Sequence, residues 1–245
     1  MPTRAVHIVI DATDPSALAA FWAAALGWEV AEDEPDEVDV WPSGFSYPSP
    51  AALPLVFVPV KEPKISKNRL HLDLSTTSAQ HQAAEVERML ALGATPADIG
   101  QGIVPFTVLA DPEGNEFCVL DAREDYMDAR PVAAIVLDCA RPDVLLPFWA
   151  EATGWEVHKS LPIFASLRAP GGTGPYLELL QTPDTKTVKN RLHVDVAPPA
   201  DGDAQVEARR LENAGAVRLD IGQGEVPWVV LSDPEENEFC VLSPR

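Results

Sequence analysis

Apolar and polar positions along this chain alternate in short runs and amphipathic stretches, and the same order of both occurs twice. Residues 5–11 (AVHIVID) are apolar and β-branched and end at an Asp/Thr/Asp group, which predicts a strand. Asp14 followed by Pro15 supplies an N-cap and a first-turn proline, ALAAFWAAAL continues as a helix, and Gly27 ends it. WEVAED, LPLVFVPV (53–60) and RLHLDLS (69–75) predict further strands. Residues 85–92 (EVERMLAL) place apolar side chains three and four apart, the spacing of an amphipathic helix, which Gly93 stops. VPFTVLAD and NEFCVL predict two closing strands around a DPEGN turn, and the segment near 96–104 takes the remaining strand.

The repetition is specific. IVIDATDPSALAAFWAAALGWEV (8–30) matches IVLDCARPDVLLPFWAEATGWEV (135–157), and KNRLHLDLS (67–75) matches KNRLHVDVA (189–197). DIGQG recurs at 98–102 and 220–224, and PFTVLADPEGNEFCVL (105–120) pairs with PWVVLSDPEENEFCVL (227–242) at twelve of sixteen positions. The period is too long for a solenoid and predicts tandem domains, 1–122 and 131–245, joined by a charged linker at 123–130. Each repeat reads β-α-β-β-β twice. Helices on one face of mixed strands imply an α+β fold whose other sheet face is a cavity or an interface. Repeat 1 is longer within PDEVDVWPSGFSYPSP, whose prolines, serines and acids predict a surface excursion.

Composition narrows the partners. With 38 acidic against 18 basic residues and a net charge of −20, the surface repels a phosphate backbone and anionic membranes, leaving neutral or cationic small molecules as ligands. Three cysteines (Cys118, Cys139, Cys240) make no disulfide framework and suit a reducing cytoplasm. No apolar run approaches the roughly 20 residues of a membrane span. Trp22 and Trp149 lie among apolar helix positions and read as core. Trp28 and Trp155 follow the helix-ending glycines and pack against them. Trp41 and Trp228 are left as ligand-facing rings, and DIGQG reads as a turn at a pocket mouth.

The blocks VHIVIDATDPSALAAFWAAALGWEV, RLHLDLS with its following helix, and VLADPEGNEFCVL resemble the vicinal oxygen chelate superfamily, which includes glyoxalase I, bleomycin-resistance proteins and extradiol dioxygenases. The resemblance covers nearly all of both repeats and is nearest the glyoxalase-like branch. It implies paired βαβββ modules that curl into a cupped mixed sheet with helices outside, and one divalent metal (Zn, Ni, Mn or Fe) held by the first, fourth, fifth and eighth strands. Carried over by position, repeat 1 offers His7, Val56, His71 and Cys118, and repeat 2 offers Ala134, Glu178, His193 and Cys240. Neither has the full set of carboxylates and histidines. His7, His71 and Cys118 are therefore the candidate metal ligands. Glu116, Glu178 and His193 are the candidate proton-transfer groups, and Arg69, Asp73, Trp41 and Trp228 the candidate substrate contacts. The incomplete set implies a protein that binds a small organic molecule without a complete metal centre. The alternatives are a metal-dependent lyase or isomerase of the glyoxalase I type and a metal-free acid–base enzyme. The two repeats are expected to pair within one chain, with a homodimer also open.

Overall fold

The computed structural model describes residues 3–222 and 224–245. Repeat 1 opens with β1 (Arg4–Ala12), α1 (Pro15–Leu26), β2 (Glu29–Glu34), β3 (Glu37–Trp41) and β4 (Leu55–Pro59). It continues with β5 (Leu70–Leu74), α2 (Ala79–Leu92), β6 (Thr95–Pro96), β7 (Thr107–Ala110) and β8 (Glu116–Val119). A short 3₁₀ turn, Glu124–Tyr126, lies in the linker. Repeat 2 follows the same plan: β9 (Val132–Cys139), α3 (Pro142–Thr153), β10 (Glu156–Leu161), β11 (Phe164–Arg168), β12 (Tyr176–Gln181), β13 (Leu192–Ala197), α4 (Ala204–Asn213), β14 (Val217–Arg218), β15 (Val229–Ser232) and β16 (Glu238–Val241). The α+β class and the tandem βαβββ units are as the sequence implies.

Local chemistry explains the first helix of each repeat. The Asp14 carboxylate accepts from the Ala17 amide, Pro15 occupies the first turn, and Gly27 closes the helix in the left-handed conformation at φ 66°. α3 keeps the proline start and the Gly154 stop but has Arg141 at its N-cap, with no side-chain cap. The buried Trp22 donates its indole N–H to Asp111 Oδ2 at 3.1 Å, and Trp149 does the same to Asp233. The Asp of each DPE turn is thereby tied to the helix of its own repeat, and both tryptophans are core residues as expected.

The sheets are not closed within a repeat. One runs β14-β15-β16-β13-β1-β4-β3-β2 and the other β10-β11-β12-β9-β5-β8-β7-β6. Each joins the first unit of one repeat to the second unit of the other, through antiparallel β1–β13 and β5–β9 seams. Ion pairs reinforce the exchange reciprocally: Lys67 of β5's approach meets Asp138 on β9, and Lys189 meets Asp11 on β1. Arg191 also bonds Asp11 O at 2.7 Å and Glu113 at 2.9 Å. The repeat is a unit of sequence, whereas each cup is built by both repeats.

One sequence expectation needs correction. The stretch from Pro35 is not all surface excursion, because Glu37–Trp41 is strand β3 with Val38 and Val40 buried in the core. Apolar alternation at 38 and 40 outweighs the flanking prolines. The additional residues of repeat 1 fall in the β3–β4 loop, 42–54 against 169–175 in repeat 2. Among the described residues, no helix is long and apolar enough to cross a membrane.

Candidate functional site

Strand alternation decides which side chains enter each cup, since residues two apart share a face. In the β1–β4/β13–β16 sheet, His7, Val9 and Asp11 of β1 face the concavity with Val56, Val58, His193, Asp195, Val230 and Cys240. Asp39 and Trp41 enter from β3, and the β3–β4 loop adds Tyr47. Together they line part of a cavity of about 1810 Å³ that passes Trp228, Arg69 and Arg245 and is also lined by Lys64, Lys67, Glu116 and Asp138, from the other sheet and the segment leading to it. Asp98 and Ile99 of the first DIGQG segment and Ile221 and Gly222 of the second line its margin.

Asp195 organises the floor of this cup. Its Oδ1 lies 3.4 Å from His193 Nε2 and its Oδ2 lies 3.8 Å from His7 Nδ1. Burial pushes this carboxyl up, but the two imidazoles outweigh it and hold its pKa at about 2. His193 Nε2 also lies 3.6 Å from the Cys240 thiol, which burial and the neighbouring Asp195 push well above its ordinary value. Among the buried side-chain atoms without a hydrogen-bond partner are His193 Nδ1, Asp39 Oδ1 and Asp195 Oδ1. Burial raises the Asp39 pKa although Trp41 donates to its other oxygen at 3.2 Å.

The second cup shares this plan with different contents. Register aligns the two: Val9 faces Val56 across the parallel β1–β4 pair, and Val136 faces Glu178 across β9–β12. His71 Nε2 sits 3.4 Å from Asp73 Oδ1, and Cys118 lies in the same small cluster. Burial lowers the His71 pKa, but Asp73 outweighs it and the net shift is upward. The buried Glu178 accepts the Tyr126 hydroxyl at 2.7 Å, and burial raises its pKa to about 7.

Module exchange redistributes the candidate residues. His7 does not join His71 and Cys118, because β1 belongs to one sheet and β5 and β8 to the other. His7 instead shares a cup with His193 and Cys240, while Glu178 shares a cup with His71, Asp73 and Cys118. Glu116 is committed to Lys64, at 2.7 Å, and to the Asn68 amide, at 3.1 Å. Those contacts fasten the KNR segment to β8; Glu238 repeats them with Lys186 and Asn190. Arg69 stands at the cavity edge with its guanidinium on Asp138 O, Asp184 O and Asn237 Oδ1. Trp41 and Trp228 both line the open cavity. Asp195, Asp39, Tyr47 and Tyr126 were not singled out by sequence. The two-residue step from His193 to Asp195 was the available signal for the first.

The donor set of the open cup fits a divalent ion. Bond lengths for a tetrahedral zinc place neighbouring N and O ligands about 3.4 Å apart, and N and S ligands about 3.6 Å apart. His193 Nε2 stands at those separations from Asp195 and Cys240. The carboxylate expected from the fourth strand is absent, since Val56 occupies that register; Asp195 supplies the cup with a carboxylate from β13.

Comparison with known proteins agrees with this architecture. The glyoxalase-like domain family matches the chain twice, over residues 7–120 and 134–242. Glyoxalase I from Zea mays superposes with a TM-score of 0.67 at 15% identity, covering 98% of this chain and 92% of that one. A glyoxalase/bleomycin resistance protein/dioxygenase family enzyme from Burkholderia phytofirmans PsJN matches 47% of this chain and 95% of its own, at 17% identity and a TM-score of 0.35. No curated protein sequence matches the chain. The two family matches, the paired βαβββ units and the cups they form make this chain a member of the glyoxalase-like family, within the vicinal oxygen chelate superfamily.

Proposed function

We propose that this protein binds one small organic molecule, neutral or cationic, in the cup formed by β1–β4 and β13–β16. The observation that carries this reading is the inequality of the cups: one opens into a cavity of about 1810 Å³, while linker residues occupy the other. The open cavity combines apolar walls (Val9, Val56, Val58, Val230) with a few convergent polar groups, the usual composition of a small-molecule site. Glu32, Glu37 and Asp39 cluster on one wall next to Trp41, which favours a ligand without negative charge on that side. A thermal-shift screen of neutral and cationic metabolites tests the proposal. A hit that raises the Tm of the native chain and loses its effect in Trp41→Ala and Asp39→Asn supports it. A broad library without a hit, together with metal-dependent turnover of a hemithioacetal, rejects it.

The spacing of His193, Asp195 and Cys240 supports a second reading, in which these residues and His7 hold a divalent ion. Such an ion would polarise a carbonyl or enolate oxygen of a bound substrate. The chain's own contribution would be to keep Asp195 ionised between two imidazoles and to exclude bulk water from the cup floor. Metal analysis of protein purified without chelator separates the readings. One stoichiometric ion lost in His7→Ala and His193→Ala favours the metal centre and a lyase or isomerase; metal-free protein that still binds ligand favours the first reading.

A further inference from the structure

The second cup is closed by the chain itself. The linker crosses its mouth and inserts Tyr126 against Val108, Cys118, Leu120 and Ala133 on one side and Ala134, Val136 and Tyr176 on the other. The Tyr126 ring meets Tyr176 edge-on at 5.6 Å, and its hydroxyl ends on Glu178. Ala134 takes the register of His7, so the second cup lacks an imidazole there; Glu178 takes the register of Val56, so a carboxyl appears beside it. The result is an apolar slot with a hydrogen-bond acceptor at its end, filled by a tethered phenol.

Few strong contacts hold the linker in place. Ala129 is fully buried, the exposed Asp128 pairs with the buried Arg168 at 2.9 Å, Tyr176 donates to Asp125 O at 3.2 Å, and Asp125 meets Lys159 at the surface at 3.5 Å. The Asp125–Lys159 pair is exposed and adds little stability, and Arg168 keeps its bonds to Gly174 O and the Tyr176 hydroxyl when Asp128 leaves, so exchange of the linker for a soluble ligand leaves that guanidinium hydrogen-bonded. A replacement must fill the ring slot and bring its own donor, because a buried Glu178 carboxyl without a partner is penalised.

We infer that the β9–β12/β5–β8 cup is a second binding site, for a small aryl alcohol, and that the linker closes it with Tyr126 as a displaceable internal occupant. The ligand donates its hydroxyl to Glu178 and packs its ring against Tyr176, Val136 and Ala134. This site is separate from the open cup and does not depend on what binds there.

The test uses the full chain with p-cresol as the probe. Tyr126→Ala is expected to gain one saturable p-cresol site by titration calorimetry, beyond any binding seen in wild type. Adding Glu178→Leu should weaken that site at least tenfold. In wild type, p-cresol should accelerate trypsin cleavage after Arg123 several-fold as the linker leaves the cup. A folded Tyr126→Ala chain that gains no site overturns the inference, as does wild-type cleavage that stays unchanged at p-cresol concentrations saturating the variant. Should Tyr126→Ala fail to fold, Tyr126→Phe decides: it keeps the ring but removes the donor. Cleavage after Arg123 should then be faster than in wild type, and an unchanged rate counts against the inference.

Discussion

His7 and Asp195 approach to 3.8 Å across the floor of the open cup, although one lies near the start of repeat 1 and the other late in repeat 2. Their meeting is a direct consequence of the β1–β13 seam, whose register places His7 opposite Asp195. The candidate chemistry of this protein is thus shared between its repeats.

Neither repeat should fold alone as a monomer. Residues 1–122 expose the pairing edges of β1 and β5, each of which is satisfied only by repeat 2. Light scattering on this fragment is expected to report a dimer, in which two copies exchange modules as the repeats do here, or an unfolded chain. A folded monomer would contradict the exchanged architecture.

The Asp195 carboxyl links stability to acid. Its folded pKa of about 2 lies below the ordinary 3.8, so it stabilises the fold above pH 3.8 and loses that contribution as pH falls toward 2. The shift corresponds to about 2 kcal/mol. Urea titrations between pH 2 and 6 should show the wild type losing roughly this much more than Asp195→Asn as the pH falls, with the variant the less stable of the two at pH 6.

Glu178 has the opposite sign. Its pKa rises from 4.5 to about 7 on burial, so the folded state keeps a proton that the unfolded chain has released. Stability contributed by the neutral carboxyl is fully present below pH 4.5 and is lost as pH climbs through 7, by about 3 kcal/mol. Glu178→Gln keeps the shape without the charge and should remove the decline. Denaturation at pH 5 and pH 8 checks this: a wild type no less stable at pH 8 would rule out the buried, protonated carboxyl.

The tie between Trp22 and Asp111 should matter to folding rather than to ligand binding. Trp22→Phe deletes an indole donor to a buried carboxylate and leaves a small cavity, a loss of about 2 kcal/mol. Trp149→Phe, with Asp233 in the same relation, should cost a similar amount. Both are read by chemical denaturation, with binding in the open cup unchanged at temperatures where the variants are folded.

Much of the fold was legible in order and period. The Asp-Pro start and glycine stop bounded α1 to within a residue, and alternation placed β1, β5 and the closing strand close to their observed bounds. β3 was hidden because its two buried valines sit among acids and prolines that read locally as a turn-rich loop. Within the site, His193 and Cys240 were visible as candidates by position. Asp195 was overlooked although it shares a face with His193, and Tyr126 lay in a segment read as a plain linker because charge dominates its composition.

The sequence by itself determined the two repeats, the α+β units, the tryptophan-bearing helices and the kinds of residue available to each cup, because hydrophobic period, caps and turn residues act over a few positions. Tertiary structure alone decided that the units exchange partners, so that His7 faces Asp195 and Tyr126 closes the cup of Glu178. Local patterns specify a strand and its faces but not which distant edge it will join. That choice rests on the β1–β13 and β5–β9 seams and on ion pairs such as Lys67 with Asp138, formed between residues far apart along the chain.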